Sequence, residues 1–296
     1  MQHLFFESFF QNTRFPAEAR KTLTDALNSL HEEITPILCH FETDYHYEST
    51  QPLVDSLAES SKISAHTIWM LIFILAAEKA RSLYTSDKIF WDTFSDLRYK
   101  AQECFDLHGV WGTFVPHWYP RFYKGNIVKL GRMEYETRQG ALTQFYNLFG
   151  ITLGPDSTTI HLHIPSSGEP FDKASRLDSY RQAYNYFCKN GQPLICICGS
   201  WLLYSEYASI FPGNSNIGSF RKEFIMMKEK QTEAFGDAWR VFGKNHKNSA
   251  DQLPESTSLQ RNFKTHILNG GHFGTGTGVL IFDGEKILSE SEVEQK

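Results

Sequence analysis

Three things are scarce in these 296 residues: long apolar runs, a surplus of positive charge, and cysteines in the number and pattern of a disulfide framework. The most apolar run, residues 68–77, is about half the roughly 20 residues that a membrane helix requires, so no membrane partner is expected. A net charge of −5, with a pI near 6.2 and no long run of one sign, leaves no footprint for nucleic acid or an anionic membrane. Five cysteines, two of them one residue apart in an apolar strand, fit reduced thiols better than paired ones. The start, MQHLFFESFFQNTRF, lacks a basic leader, a sustained apolar core and a small-residue cleavage site. A soluble, cytoplasmic protein is the expectation.

What is abundant is aromatic: 24 Phe, 13 Tyr and 6 Trp rule out a mostly disordered chain. The length suits two domains or one large one. From His3 to about Tyr123 the pattern is helical, with apolar residues such as Leu23, Ala26, Leu27 and Leu30 at helical spacing. Further helices are expected over 52–60, 68–84 and 86–108, giving an all-helical domain of about four or five helices. The texture changes at Gly109-Val-Trp-Gly-Thr-Phe-Val-Pro, where aromatics mix with Gly and Pro. Beyond it, 126–137 and 140–150 alternate like paired strands, and 238–242 also reads as a strand. A helix is expected from about Ser205 and another over 257–269, with a short final strand at 279–282. The fold class is therefore α+β, with a helical domain at 1–122, a sheet domain at 123–288 and a frayed charged tail at 289–296.

The most informative stretch is 158–205. It reads as a β-branched strand at 158–164, a loop broken by Pro165, Gly168 and Pro170, a helix over 174–189 and a second strand at 193–198. If both strands share a sheet they should be parallel, with a right-handed crossover. Ligands of such units usually bind beyond the carboxyl end of the first strand, which directs attention to the loop 165–173.

Several side chains could carry chemistry there. His161 and His163 lie two apart in the first strand, so they share a face, and either could act as a base near neutral pH. Glu134 and Glu136 share a strand face in the same way and are alternative bases; all four could equally be structural. The His161/His163 and Cys196/Cys198 pairs have zinc-ligand chemistry, but their spacing matches no finger or knuckle, and no metal is expected. Ser200 lacks the second glycine of a nucleophile elbow and reads as a helix cap. The run GGHFGTGTG follows a helix, so it is neither a dinucleotide fingerprint nor a P-loop, and reads as a turn that lines a pocket.

An ordered set of short runs resembles a bacterial family of acyltransferases in which a helical N-acyltransferase N-terminal domain precedes a GNAT-like C-terminal domain. The pieces are Gly131-Arg-Met-Glu-Tyr-Glu, His163-Ile-Pro, Ser179 with Ala183 and Phe187, Cys198-Gly-Ser-Trp-Leu-Leu, Ser215-Asn-Ile with Phe220, and Thr257-Ser-Leu-Gln-Arg. The resemblance implies a mixed sheet whose central parallel strands splay apart to admit an acyl-CoA. It makes 158–164 the fourth strand, 165–173 the pyrophosphate loop and 193–198 the fifth strand. It also implies direct transfer of an acetyl or other acyl group from the thioester to a small-molecule or peptide amine. Of the candidates, it favours His163 or Glu136 as base and Tyr204 as the acid after the fifth strand, with Tyr207 as an alternative. Ile164, Ser166, Ser167, Gly168 and Lys173 would hold the acyl-CoA. GNAT enzymes generally carry Arg/Gln-x-x-Gly-x-Gly/Ala at that loop. Here it reads Ser166-Ser-Gly-Glu-Pro-Phe-Asp-Lys, which motivates a rival reading: a non-catalytic ligand-binding or protein-interaction module on the same fold.

Overall fold

The computed structural model describes residues 2–30, 32–140, 142, 144–148, 150–188 and 191–293. The chain divides into two compact units, one of residues 1–129 with 165–168, the other of residues 130–164 with 169–296. No described helix is long and apolar enough to cross a membrane.

The first unit is helical: α1 (Gln2–Thr13), α2 (Ala17–Leu30), α3 (Ile34–Asp44), α4 (Tyr47–Ser61), α5 (Ala65–Ala80), α6 (Asp87–Phe94), α7 (Asp96–His108) and the short α8 (Pro120–Tyr123). That exceeds the four or five expected from periodicity. The segment 86–108, read as one helix, is broken into α6 and α7 at Ser95, and α3 was not anticipated. Helix α4 also begins earlier than its Pro52 suggests, because a proline within the second turn forfeits one backbone bond without ending the helix. Helix α5 is apolar on every face and buried throughout 67–77, so it forms the axis of this unit. Ser64 caps it by accepting from the His66 N–H. The buried tyrosines around it are satisfied: Tyr123 Oη donates to the Phe73 carbonyl at 2.6 Å and Tyr84 Oη to that of Phe122 at 2.7 Å.

Strand β1 (Ile127–Leu130) carries the chain across the division. The second unit then contains β2 (Met133–Gln139), β3 (Tyr146–Leu148), β4 (Ile151–Leu153), β5 (Thr158–His163), α9 (Lys173–Phe187), β6 (Leu194–Ser200), α10 (Asn216–Arg221), β7 (Ile225–Thr232), α11 (Ala238–Phe242), α12 (Ser258–Leu268), β8 (Phe273–Phe282) and α13 (Leu288–Val293). Within this unit the sheet order is β2-β5-β6-β8-β7. Strands β5 and β6 are parallel and joined through α9, as the strand-loop-helix-strand pattern requires, while β2–β5, β6–β8 and β7–β8 are antiparallel. Helix α9 covers one face: Tyr135 Oη lies 2.9 Å from Ser179 Oγ, and the Tyr180 ring packs 6.0 Å from Phe282.

Five expectations change here. Residues 140–150 do not pair with the strands of 126–137; β3 and β4 pair with each other in a separate hairpin, while Ala141, Thr143 and Phe149 lie outside the described residues. The run 238–242 is helix α11, and β7, half of it charged or amide side chains, was not anticipated. Residues 201–209 form two 3-10 turns instead of an α-helix, the first capped by Ser200, which accepts from the Leu202 N–H. The glycine run, apart from its first turn, belongs to β8, which crosses the sheet between β6 and β7. Its alternating glycines explain this: a Cβ at Gly276 would lie 2.6 Å from the Leu203 carbonyl oxygen, and one at Gly274 would lie 2.5 Å from the Tyr204 ring. The strand is bare so that the segment after β6 can lie directly upon it. The tail from Ser289 opens within α13, where Ser289 Oγ donates to the Glu223 carbonyl and accepts from the Ile281 N–H.

Candidate active site

Register determines which side chains meet. In the β2–β5 ladder Glu134 faces His163, Glu136 faces His161 and Arg138 faces Thr159, and alternate residues share a face. One face of this ladder therefore carries two carboxylates, one guanidinium and two imidazoles. The Glu136 carboxylate lies between two partners: its Oε2 is 2.8 Å from His163 Nε2 and accepts from an Arg138 guanidinium N–H at 2.6 Å. A carboxylate only accepts, so His163 carries a hydrogen on Nε2. The Glu136 side chain is 8% exposed and that of His163 22%, so the pair is largely removed from water while its imidazole stays reachable.

His161 is held differently. Its Nε2 lies 3.0 Å from Thr159 Oγ1. Burial, aided by the charges of Arg138 and His163 and opposed by Glu136, brings its pKa down to about 4. It is neutral at neutral pH. The histidines are thus distinguishable: His163 has a carboxylate partner and His161 a hydroxyl.

The parallel pair β5–β6 is registered only at Ile160↔Cys196 and His161↔Ile197 among the described residues. Both strands continue further, but with other neighbours. His163 is still paired to β2 through Glu134, and β6 follows β8 as far as Ser200↔Gly276. The registered β5–β6 pairing ends at His161, and the His163–Glu136 pair lies just beyond that end. Beyond β5, Ile164 packs against an apolar cluster that includes Leu202, Tyr204, Tyr207 and Phe263.

The remaining candidates are placed as follows. Tyr204 is buried in that cluster, with its ring over Gly274 of β8, and Tyr207 packs beside it at 5.1 Å. In the sheet, β8 lies on the far side of β6 from β5, while Ile164, next to His163, packs against the cluster that holds Tyr204. Burial, with the nearby charges of Glu206 and Glu229, raises the pKa of Tyr204. Ser166, Ser167 and Gly168, the last at φ +72°, belong to the segment grouped with the helical unit. Lys173 opens α9 and pairs with Glu290 at 2.8 Å. The amino end of α9 is capped by Asp172, which accepts from the Ser175 N–H at 2.8 Å; this N–H holds the carboxyl below its usual range. Helix α9 therefore presents a carboxylate at its own amino end.

Two functional partners were missed in the sequence. Arg138 lies two residues after Glu136, so strand alternation could have found it; Thr159 has no signal beyond the same alternation. The zinc reading fails on faces: His161 pairs with Ile197, whereas Cys196 pairs with Ile160, so the histidines and cysteines project from opposite sides of the sheet. Burial pushes the Cys198 thiol up to about 12.

Behind the loop, Arg176 ties the unit together. It donates to Glu223 at 2.7, 3.0 and 3.2 Å, to the Phe171 carbonyl at 2.7 Å, to the Asn216 carbonyl at 3.2 Å and to Ser219 Oγ at 3.0 Å, and Tyr180 Oη donates to Glu223 at 2.7 Å. Phe171 in turn packs its ring 5.1 Å from Phe220, which commits it to α10.

Two family models match the sequence: a GNAT-like C-terminal domain over residues 127–280 and an N-acyltransferase N-terminal domain over residues 5–125. No curated protein matches. Among solved structures, an acyltransferase in complex with decanoyl-CoA and teicoplanin is similar, with a TM-score of 0.71 and 17% identity over 93% of this chain and 87% of the other. An acyltransferase in complex with CoA and 10C-teicoplanin gives 0.69 and 16% over 92% and 86%. An acyltransferase in complex with decanoyl-CoA gives 0.60 and 18% over 93% and 98%.

Proposed function

Because this chain belongs to the family with an N-acyltransferase N-terminal domain and a GNAT-like C-terminal domain, we propose that it transfers an acyl group from an acyl-CoA directly to an amine. The observation that carries the reading is the end of the registered β5–β6 pairing at His161, with His163 and Glu136 just beyond it. A pantetheine arm can enter a sheet only where neighbouring strands leave backbone groups to receive it. Direct transfer needs an amine freed of its proton, a polarised carbonyl and a protonated leaving thiolate, with no covalent enzyme intermediate. His163 takes the proton from the amine as the thioester is attacked. Glu136 holds the imidazole through Nε2 and favours the imidazolium that forms, and Arg138 donates to the same carboxylate. Tyr204, buried beside Tyr207 with its ring over Gly274, is the proposed acid, and a solvent proton can also serve the leaving thiolate. Ile164, Ser166, Ser167, Gly168 and Lys173 remain the proposed acyl-CoA contacts. The helical part at 1–122 and the sheet part at 123–288 act as separate domains in this reading. The similar structures hold decanoyl-CoA and CoA, so acyl groups longer than acetyl belong in the donor range, and the teicoplanin complexes favour a small-molecule acceptor.

Asp172 favours a second reading. Its carboxylate occupies the amino end of α9, where an anionic pyrophosphate would be expected to seat, as in a ligand-binding module that no longer uses CoA. Calorimetric titration with acetyl-, octanoyl- and decanoyl-CoA separates the two. Saturable binding of one of them supports the transferase, and folded protein that binds none at millimolar concentration leaves the module.

A further inference from the structure

Lined by none of the proposed base, acid or acyl-CoA residues, a depression of about 450 Å³ lies in the second unit, within the range of about 300–1,000 Å³ that small-molecule sites occupy. Asn262, Thr265, His266 and Asn269 form one wall. They are spaced i, i+3, i+4 and i+7 along α12, so they make a single polar stripe. The opposite side of the same helix, Leu259, Phe263 and Ile267, packs into the apolar cluster described above. The facing wall is the 3-10 turn Ser205–Ser209, which supplies Glu206 and Ser209, and Gly271 closes one end. A helix that buries its apolar side and turns a polar stripe to a concave space offers hydrogen bonds to whatever enters.

The wall is organised before any ligand arrives. Glu206 is fixed through both oxygens: Oε2 accepts from the His272 N–H at 3.0 Å, and Oε1 lies 2.8 Å from His272 Nδ1. Those two bonds hold its carboxyl below the usual carboxylate range. His266 Nε2 lies 2.9 Å from the His272 carbonyl oxygen and donates its hydrogen there, which fixes the ring and leaves Nδ1 on its other side. Asn262 donates its amide N–H to the Ile210 carbonyl at 2.9 Å, which orients its carbonyl oxygen as an acceptor. The His266 ring lies so close to Gly271 that any side chain there would collide with it. The surface offers one carboxylate, an imidazole nitrogen and amide oxygens, all acceptors, beside the hydroxyls of Ser209 and Thr265. It contains no lysine or arginine.

From this we infer that the depression binds a small polyhydroxylated ammonium compound, its positive charge on Glu206 and its hydroxyls on Asn262, Thr265, His266 and Asn269. The inference does not rest on acyl transfer, since every residue it uses lies outside the proposed catalytic and acyl-CoA sets. The probe is 1-amino-1-deoxysorbitol against sorbitol, which differ by an ammonium for a hydroxyl, followed by the imidazole NMR signals of His266 and His272 in the full-length protein. The aminopolyol should shift both signals saturably and bind about tenfold more tightly than sorbitol, the contribution of one charge-assisted contact. Glu206→Gln should bring the two ligands level, and Thr265→Trp, at an exposed position, should abolish both while leaving acyl-CoA binding by calorimetry unchanged. Three results each overturn the inference: no shift in folded protein at about 50 mM aminopolyol, equal affinity for sorbitol in the wild type, or acyl-CoA binding lost in Thr265→Trp. Failure of the wild type to bind acyl-CoA would strike the transferase reading and leave this one standing.

Discussion

Replacing Arg176 by Met tests how firmly the loop between β5 and α9 is anchored. The guanidinium is fully buried and each of its N–H groups points at an acceptor from α10, Glu223 or the Phe171 carbonyl. The substitution exchanges three contacts to the buried Glu223 carboxylate for a thioether and leaves the Tyr180 hydroxyl facing it. Breaking a buried pair by removing one partner costs about 3–5 kcal/mol. In a unit of this size that corresponds to a fall of about 6–20 °C in Tm. Burial already pushes the Glu223 carboxyl up, with Arg176 and Tyr180 opposing it, so loss of Arg176 raises it further. A group whose folded pKa is raised above its unfolded value contributes more as pH falls. The gap between variant and wild type should therefore narrow from pH 7 to pH 5. Scanning calorimetry at both pH values is the assay, with the double variant Arg176→Met/Glu223→Leu expected to recover most of the loss. A single variant within about 1 kcal/mol of wild type, or a double variant no better than the single, would refute the reasoning.

Thiol release from acyl-CoA in the presence of an amine panel measures the proposed base: His163→Ala should lower kcat about 10²–10⁴-fold, and Glu136→Gln should lower it less while displacing the pH profile. Undiminished turnover in His163→Ala would remove it from the mechanism. His161, brought down to about 4 from its usual 6.5, makes stability pH-dependent. Between those values the unfolded chain holds a proton that the folded protein lacks, so stability should fall as pH drops from 6.5 to 4. The full shift is equivalent to about 3 kcal/mol, and partial solvent access reduces it to about 1–2 kcal/mol. His161→Asn should flatten that part of the denaturation profile, and an unchanged slope would contradict the assignment. Gly276→Val should prevent the Leu203 backbone from lying on β8 and cost about 3 kcal/mol or more by overpacking and strain; a urea midpoint equal to that of wild type would show that the contact yields.

Much of the architecture was legible in the sequence because its signals are local. The β-branched strand at β5, the crossover helix and the apolar run at β6 gave a parallel pair directly, and the helical reading of 257–269 matched α12. What failed depended on distant partners. The glycines of β8 read as a turn because their reason, Leu203 and Tyr204 lying on them, is some 70 residues away. Strand β7, at the edge of the sheet and largely exposed, is dominated by Lys, Glu and Gln. At the site, alternation alone put His161 with His163 and Glu134 with Glu136, but only the β2–β5 register distinguishes the histidines by giving one a carboxylate. The position of Tyr204 over β8 and the capping role of Asp172 required coordinates.

A crystal structure with a non-transferable thioether analogue of octanoyl-CoA tests the central claim most directly. The account predicts the pantetheine arm between the ends of β5 and β6, with the acyl carbon on the face that carries His163. Density for the analogue elsewhere on the protein, with the strands parted but vacant at full ligand occupancy, would contradict it.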